Sequence, residues 1–391
     1  MTNDDRASED EANSTTLCVL PWVHLSTTVD GVWGRCCFDA TNDYDSYYRE
    51  PTEPVFALDD DAIGCLPNSR YAVDNPSRAL GPAEAFNSPA LRRTRLQMLA
   101  GERPPACYSC FRQEDLGVES HRGYMNRLFA DRLDVAEVYG STGPDGTVPG
   151  FPPYLDLRFG NTCNLSCIMC SFPISSRLGA GRTPPWATAH IDPYADDDEF
   201  WGALRANCHQ VRWLYIAGGE PFLQRGHLKL LDLLIEEGAA PVIEIHYNSN
   251  LTILPDGIFA SLGHFRDVVI GASCDGTGDL FESIRAGAKW PVFVENLRRA
   301  KSHVRLWLDV TVQRDNVGAL GDLLSFAQAE GVPLRLQNIL QDPPDLSVRS
   351  LPAETKARHR ASVEELRRGC AQAGMDELAR ELQRINDYML G

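Results

Sequence analysis

Three cysteines lie close together in the middle of the chain: Cys163, Cys167 and Cys170, in the stretch Asn161-Thr-Cys-Asn-Leu-Ser-Cys-Ile-Met-Cys. Thiolates with this spacing on one short loop can reach three corners of an iron–sulfur cube, and the fourth iron is then left without a protein ligand. An open iron can bind a substrate or cofactor, so the spacing indicates catalysis rather than plain electron transfer. The alternatives are a zinc knuckle and three buried thiols. Zinc would need a fourth Cys or His nearby, and the first to follow is His190.

The spacing Cys163-x3-Cys167-x2-Cys170 after a short apolar strand resembles the signature of the radical S-adenosylmethionine (SAM) enzymes. In that family the open iron of a [4Fe–4S] cluster chelates the amino and carboxylate groups of SAM. One electron from the cluster then cleaves SAM to methionine and a 5′-deoxyadenosyl radical. The resemblance therefore implies SAM and a cluster as cofactors.

A second motif, Ala217-Gly-Gly-Glu-Pro221, follows the next apolar strand. Two glycines let the backbone approach a ligand closely, and a glutamate adds a hydrogen-bond acceptor. A tight turn would have the same composition. The motif is similar to the one that holds the SAM amino group in the family, and this likeness implies that role for Gly218, Gly219, Glu220 and Pro221.

Short polar side chains stand at the ends of two further strands, in Asn248-Ser-Asn250 and Ser273-Cys-Asp-Gly276. Strand ends of this kind meet a ligand's hydroxyl and carboxylate groups in barrel enzymes, although Asn and Asp also cap simple turns. The resemblance implies SAM or substrate contacts for a set of residues: Asn250, Ser273, Asp275, Arg285, Thr311 and Gln313. It also places Ile168 and Met169 beside the adenine. His24, His246 and His264 lack ligand spacing and are predicted to be structural.

Cys274 stands where the relatives have an aliphatic residue. A free cysteine is usually a small buried hydrophobe, and that is one interpretation. The other is that its thiol donates a hydrogen atom to a substrate radical, as a radical epimerase needs. Strand alternation opposes the second interpretation, because Cys274 should point away from the side of Ser273 and Asp275.

A separate group of cysteines lies near the N-terminus. Cys18 and the pair Cys36-Cys37 flank a predicted hairpin around Asp30-Gly31, and Cys107-Tyr-Ser-Cys110 follows a helix. Four such thiolates could hold zinc or a fully ligated cluster. The pattern resembles the twitch (shortened SPASM) domain of radical SAM enzymes, which implies an auxiliary [4Fe–4S] cluster on Cys18, Cys36, Cys107 and Cys110. Cys65 is predicted to be a bystander in a loop.

Strand and helix patterns alternate after residue 153, which predicts an α/β fold with a parallel sheet. The predicted strands are Tyr154–Phe159, Val211–Ala217, Val242–Tyr247, Val268–Ser273, Arg305–Val312 and Leu334–Gln337. The predicted helices are Asp196–Ala206, Gly226–Glu237, Ile258–Leu262, Pro291–His303 and Val317–Glu330. Six units fit the partial (β/α)6 barrel that the resemblance implies.

The other predicted elements are helices over 87–101, capped by Ser88, and from Phe111 to about Val138. The predicted domains are a disordered leader (1–16), a small α+β twitch domain (17–138), a Gly/Pro-rich linker (139–153), the barrel (154–340) and a helical C-terminal segment (341–391). An apolar stripe at Leu378, Leu382, Ile385 and Met389 predicts packing of the last helix on the barrel, with a dimer seam as the alternative.

The composition limits the function classes. The 391 residues carry a net charge of −17, which disfavours nucleic acid as a partner, and no apolar run is long enough to cross a membrane. The acidic N-terminus has no apolar core of a signal peptide, so clustered cysteines indicate metal binding in the cytoplasm rather than disulfides.

The sequence therefore predicts a radical SAM enzyme with two [4Fe–4S] clusters. No segment of about 80 residues is left to form a peptide-recognition domain, which favours a small-molecule substrate such as a sugar or aminocyclitol, with epimerisation or oxidation as the outcome. An electron donor such as flavodoxin or ferredoxin is the expected protein partner. The alternatives are radical modification of a peptide and a non-catalytic iron–sulfur or zinc protein.

Overall fold

The computed structural model describes residues 16–39, 62–67, 69, 79–115, 119–171, 174–179, 190–341 and 343–390. These residues form two compact units. The first unit contains the described chain up to Arg158 together with Pro193–Leu214, and the second contains Phe159–Asp192 and everything from Tyr215 onward. The predicted linker at 139–153 lies within the first unit, and the predicted division into domains stays a prediction. All but the last residue of the predicted leader lies outside the described residues.

The strands in chain order are β1 His24–Thr27, β2 Val32–Gly34, β3 Gly64–Cys65, β4 Tyr154–Arg158, β5 Ser166–Cys167, β6 Trp213–Ala217, β7 Glu244–Ser249, β8 Asp267–Ser273, β9 Arg285–Ala286, β10 Arg305–Val312 and β11 Leu334–Ile339. The α-helices are α1 Leu20–Val23, α2 Pro82–Phe86, α3 Pro89–Leu99, α4 Tyr108–Asp115, α5 His121–Ala130, α6 Val135–Gly140, α7 Ser176–Gly179, α8 Asp198–Asn207, α9 Arg225–Glu236, α10 Ile258–Leu262, α11 Gly278–Ile284, α12 Trp290–Lys301, α13 Leu320–Glu330, α14 Ala353–Gln372 and α15 Asp376–Leu390. None of the helices in the described ranges is long and apolar enough to cross a membrane.

The first unit is built on the predicted hairpin. β1 and β2 pair antiparallel, with Ser26 opposite Gly34, and Gly31 makes the turn with a φ of +79° that favours glycine. β4 pairs parallel with β1 on its other side. Cys65 is not in a loop as predicted, because β3 adds to β2 with Cys65 opposite Val32. The loop prediction missed a two-residue strand, which is too short to show a pattern of its own.

The predicted helix from Phe111 to Val138 is wrong. The chain forms α4, α5 and α6 instead, with 116–118 outside the described residues. Ser120 accepts a hydrogen bond from Gly123 N at 3.0 Å and so begins α5, and Asp134 accepts one from Glu137 N at 3.1 Å and begins α6. These two N-caps restart the helix where an unbroken pattern predicts one element. The predicted cap of α3 is confirmed, since Ser88 accepts from Leu91 N.

The second unit contains a parallel sheet in the order β11-β10-β8-β7-β6. β7 pairs with β8 from Glu244 opposite Asp267 to Ser249 opposite Ala272, and β8 pairs with β10 from Val269 opposite Arg305 to Ser273 opposite Asp309. Helices follow these strands along the chain, so the predicted mixed α/β class with a central parallel sheet is confirmed. The exact barrel stays a prediction.

Two helices complete the second unit. The stripe of α15 is buried, and Glu381 accepts a hydrogen bond from Leu336 N in β11 at 2.8 Å. The helix therefore packs on the sheet, as the stripe predicts. The predicted helical segment begins with two short 3₁₀ turns, Pro344–Leu346 and Val348–Ser350, before its two long helices.

Candidate functional site

The thiol loop (residues 161–171) is closed by hydrogen bonds to the start of α7. Ser176 N donates to Asn161 O at 2.8 Å, and Cys163 N donates to Ser176 Oγ at 3.2 Å. Ser175 Oγ donates to Leu165 O at 2.8 Å. Two serines that carry no motif signal therefore fix the backbone on which Cys163 lies.

The middle of the thiol loop pairs with β9. Cys167 in β5 stands opposite Arg285, and Ile168 N donates to Ile284 O at 3.0 Å. Arg285 Nη1 donates to Cys167 Sγ at 3.9 Å, and its Nη2 lies 2.7 Å from Asp275 Oδ2 in an ion pair. Both charged side chains are buried. Of the residues predicted to contact SAM or substrate, Asp275 and Arg285 are thus brought to the thiol loop.

The three thiols of the loop lie within electrostatic range of one another. Burial, reinforced by Cys167 and Cys163, raises the pKa of Cys170 to about 12. Burial also raises the pKa of Cys163 and of Cys167, although Arg285 opposes the rise at Cys167. Thiols with raised pKa values are protonated at neutral pH unless a metal displaces the proton.

Three thiols on one loop are the donors that an iron–sulfur cluster with one open iron uses. No group of three or more His, Cys, Asp or Glu side chains in the described chain is arranged to hold one metal ion. In an iron–sulfur cluster each thiolate binds a different iron, so the thiols do not have to converge on one point. The donor set is therefore suited to an iron–sulfur cube.

The Gly-Gly-Glu-Pro segment packs on the start of the thiol loop. Gly219 N donates to Gly160 O at 3.1 Å, and Glu220 N donates to Thr162 O at 2.8 Å. A Cβ on Gly219 would strike the backbone, with Asn161 C at 2.7 Å, so only glycine fits. Gly218 has a φ of +116°, which side chains disfavour. Pro221 is buried and begins a 3₁₀ turn.

The Glu220 carboxylate is fully buried. Ser249 Oγ donates to its Oε1 at 2.7 Å, and Asn250 N donates to its Oε2 at 2.9 Å. Burial raises the pKa of Glu220 to about 7, against these hydrogen bonds and the positive charge of Arg285. A buried carboxylate poised in this way can accept hydrogen bonds from an ammonium group.

A triangle of polar side chains ties the thiol loop to the end of β7. Asn250 Nδ2 donates to Asn164 Oδ1 at 3.0 Å, Asn164 Nδ2 donates to Thr252 Oγ1 at 2.8 Å, and Thr252 Oγ1 donates to Asn250 Oδ1 at 2.6 Å. The Asn250 side chain is thus engaged within the protein. Asn164 and Thr252 were missed by sequence reasoning, and no motif signal points to them.

The remaining predicted residues lie at the ends of β8 and β10. Thr311 N donates to Asp275 Oδ1 at 2.7 Å, and Asn316 Nδ2 donates to Asp275 O at 3.0 Å. Gln313 is fully buried, and neither polar atom of its side chain has a hydrogen-bond partner among the described residues. Ser273 is half-buried at the end of β8, while in the thiol loop Met169 is half-buried and Ile168 exposed.

Cys274 is fully buried, and its Sγ donates to Gly276 O at 3.3 Å. Burial raises the pKa of this thiol to about 12. These contacts favour the packing role that free cysteines usually have.

The first unit brings together the N-terminal thiols from three separate segments. Leu17 O accepts from Asn126 Nδ2 at 2.9 Å and Val19 N donates to Asn126 Oδ1 at 2.9 Å, so Asn126 holds the backbone on both sides of Cys18. Cys18, Cys36, Cys107 and Cys110 each lie within electrostatic range of others in the set. Burial raises the pKa of Cys18 to about 12.

A buried ion pair shapes the turn that carries Cys36 and Cys37. Arg35 Nη1 lies 2.9 Å from Asp39 Oδ2, and Arg35 N donates to the same oxygen at 2.9 Å. Phe38 N donates to Cys36 Sγ at 3.4 Å. Cys36 interacts with Cys18 and Cys107, whereas Cys37 interacts with Cys110 and lies 3.8 Å from His121 Nε2. Sequence reasoning missed His121, which carries no ligand spacing.

A family model matches the middle of the chain. Residues 157–326 match the Radical SAM superfamily. No curated protein matches the chain.

Among solved structures, anSMEcpe with bound AdoMet and Cp18Cys peptide is 14% identical, with a TM-score of 0.43, covering 57% of this chain and 62% of that one. SuiB from Streptococcus suis with S-adenosylmethionine is 13% identical, with a TM-score of 0.40, covering 73% of this chain and 62% of that one. TsrM, a radical SAM methyltransferase from Kitasatospora setae with cobalamin and a [4Fe–4S] cluster, is 13% identical, with a TM-score of 0.31. The match covers 52% of this chain and 39% of that one. The chain thus spans less than two thirds of these structures.

Proposed function

Because the chain contains a Radical SAM superfamily domain, we propose that it is an enzyme that cleaves SAM and removes a hydrogen atom from a small molecule. The substrate is a sugar, aminocyclitol or similar compound, and the outcome is epimerisation or oxidation. The observation that carries the proposal is the direct packing of Gly219 and Glu220 on the backbone of residues 160–162, immediately before Cys163.

Cys163, Cys167 and Cys170 would hold the cluster, and their raised pKa values mean that metal binding must displace the protons. When bound, a [4Fe–4S] cluster with an open iron supplies the electron that cleaves SAM. The protein's part is to keep the three thiols on one closed loop and to hold the ligand beside it.

Glu220 would bind the amino group of SAM. Its carboxylate is already fixed by Ser249 and Asn250, so it cannot turn away when the ligand enters. An ammonium ligand would lower the pKa of Glu220 from about 7 and keep the carboxylate ionised. Gly218 and Gly219 have no side chains, so they leave room for the amino-acid end of SAM.

Arg285 would act as a positioning residue rather than a catalytic one. It contacts the thiol of Cys167 and the carboxylate of Asp275, and Asp275 in turn accepts from the backbone of Thr311. This chain of contacts connects the thiol loop with the ends of β8 and β10. It would orient the loop without touching the reacting carbon.

The thiols of the first unit would hold an auxiliary [4Fe–4S] cluster on Cys18, Cys36, Cys107 and Cys110. These thiols are close enough for their charges to interact, which supports a single site. Phe38 N donates a hydrogen bond to Cys36 Sγ, which supports Cys36 rather than Cys37 as the ligand. Four thiolates leave no open iron, which suits electron transfer.

The proposal is tested by reconstituting the full chain anaerobically with iron and sulfide and adding SAM and dithionite. We expect 5′-deoxyadenosine and methionine in equal amounts. A Glu220→Gln variant should cleave SAM more slowly at subsaturating SAM because it loses an ionic contact, with Glu365→Gln as the exposed control in the same unit. A reconstituted protein that contains iron but forms no 5′-deoxyadenosine would contradict the proposal.

A further inference from the structure

One face of the parallel sheet in the second unit is polar. Along β6, β7 and β10 every second residue is fully buried and those between are partly exposed, apart from Arg305 at the start of β10. The buried positions are apolar apart from Ser249, as in Ile216, Ile245 and Leu308. Parallel sheets are usually covered on both faces and apolar on both. The polar face therefore needs another explanation than core packing.

We define the polar face by six half-buried residues, Tyr215, His246, Asn248, Trp307, Asp309 and Arg335. They contact one another in series. Asn248 Nδ2 donates to Tyr215 OH at 2.6 Å, the His246 ring lies edge-on to Tyr215 at 5.1 Å and to Trp307 at 4.7 Å, and Arg335 Cζ lies 3.8 Å from the centre of the Trp307 ring.

Gly271 marks the centre of this face. Asn248 and Trp307 stand on either side of it in the same row of the sheet. A Cβ at Gly271 would strike the Asp309 carboxylate and would lie 2.9 Å from Asn248 Oδ1 and 3.0 Å from Trp307 Nε1. The missing side chain lets three polar groups converge over one point of the sheet.

One polar atom here is unused. His246 Nε2 is buried and has no hydrogen-bond partner within the described chain, whereas the Trp307 side chain interacts with the Asp309 carboxyl and opposes the rise in its pKa. Burial lowers the pKa of His246 to about 4, so its ring is neutral at pH 7 and can either donate or accept. Buried polar atoms without partners are rare in folded proteins and often await a ligand or water.

The charges on the polar face balance. Asp309 and Arg335 are paired residues of β10 and β11, and they attract each other. The face therefore offers hydroxyl, amide, imidazole, indole and carboxylate groups without excess charge. An anion or a cation would gain little here, while hydroxyl groups could meet every unused donor and acceptor.

We propose that the polar face binds a neutral, hydroxyl-rich ring compound, with His246, Asn248 and Asp309 bonding its hydroxyl groups. This inference rests on the proposed function and gives its substrate class. The aromatic edges of the face suit the C–H faces of such a ring. Ser273, at the end of β8, is adjacent to the polar face because it is paired with Asp309.

The test is saturation-transfer NMR on the reconstituted full chain with four probes: glucose, myo-inositol, glucose 6-phosphate and glycylglycine. We expect transfer to glucose or myo-inositol at millimolar concentration and weaker transfer to the other two. Asp309→Asn and Tyr215→Phe should each weaken binding roughly tenfold, since each alters a hydrogen-bonding group. Gly271→Ala should abolish it by displacing the Asp309 carboxylate and the side chains of Asn248 and Trp307.

Matched controls lie away from the polar face. Asp267→Asn changes a carboxylate at the other end of β8, and Gly202→Ala adds a methyl group where nothing lies within 4 Å. Equal binding by Asp309→Asn, Tyr215→Phe and wild type would overturn the inference, as would no transfer to either neutral probe or a preference for glucose 6-phosphate or glycylglycine. SAM cleavage by the same wild-type preparation is measured separately. Cleavage without binding of a neutral probe overturns only the inference, while absent cleavage concerns the proposed function.

Discussion

The two groups of cysteines differ in how the chain brings them together. Cys163, Cys167 and Cys170 lie within eight residues on one loop. The thiols of the first unit come from the segment before α1, the turn after β2 and the start of α4. The first arrangement depends on local backbone bonds, and the second depends on tertiary packing.

Each of the two cysteine groups nevertheless has a buried arginine–aspartate pair beside it. Arg35 and Asp39 close the turn that carries Cys36, and Arg285 and Asp275 stand beside Cys167. The Arg35–Asp39 pair is local in sequence and shapes the turn on which it lies. The Arg285–Asp275 pair joins β9 to the end of β8, so it positions the thiol loop from outside that loop.

The largest difference between the groups should appear in SAM cleavage. Replacing Cys163, Cys167 and Cys170 with Ala should reduce cleavage to background, because no open iron remains, while the first unit retains about four irons per chain. Iron content and 5′-deoxyadenosine are measured together, with Cys208→Ala as a buried-thiol control. Cleavage by the triple variant would show that the groups have been assigned the wrong way round.

The complementary variant replaces Cys18, Cys36, Cys107 and Cys110 with Ala. It should lose about four irons and still cleave SAM. Single variants sharpen the choice of ligand, because Cys36→Ala should lose auxiliary iron and Cys37→Ala should keep it. Stoichiometric zinc in wild type purified anaerobically would refute an auxiliary cluster.

The arginine–aspartate pairs should show the next largest effect. Arg35→Gln and Arg285→Gln each leave a buried carboxylate unpaired, which should cost about 3–5 kcal/mol of unfolding free energy. Denaturant unfolding measures this, with Lys289→Gln in an exposed pair as the control. Arg285→Gln should also lower the iron content of the second unit selectively. If Arg35→Gln, Arg285→Gln and wild type contain equal amounts of iron, Arg285 does not position the thiol loop.

The second unit should also respond to pH through Asp309. Burial raises the pKa of this carboxyl from 3.8 to about 6, so the folded state binds its proton more tightly than the unfolded state. This group therefore makes the protein less stable as pH rises from about 4 to 6, with no further change above. Asp309→Asn should remove that part of the slope in denaturant unfolding. An unchanged slope would mean that the carboxyl is not perturbed.

Cys274 should give the smallest effect. Its thiol is buried and bonded to Gly276 O, so Cys274→Ala should cost only about 1 kcal/mol of stability and leave SAM cleavage intact. With the true substrate, product should still form. Formation of 5′-deoxyadenosine without product would restore the hydrogen-donor interpretation.

The comparison also explains what the sequence could reveal. The thiol loop, the Gly-Gly-Glu-Pro segment and the strand ends are contiguous signals, and the parallel sheet follows from alternating strand and helix patterns. Asn164, Thr252 and His121 act through partners far away in the chain, which no local pattern encodes. The continuous helix over 111–138 was predicted because caps at Ser120 and Asp134 are weak signals beside a long pattern.

The polar face was missed for a related reason. His246 has no ligand spacing, and the six residues of the polar face come from four strands. The signal lay in strands that alternate apolar with polar residues, where a parallel sheet normally has apolar residues on both faces.

The most direct test of the account is electron paramagnetic resonance of the variant that lacks Cys18, Cys36, Cys107 and Cys110, reduced with dithionite, with and without SAM. The account predicts one reduced [4Fe–4S] signal whose shape changes when SAM is added, because the thiol loop leaves one iron open. A signal that does not respond to SAM, in a variant that retains its iron, would contradict the assignment of the thiol loop as the SAM site.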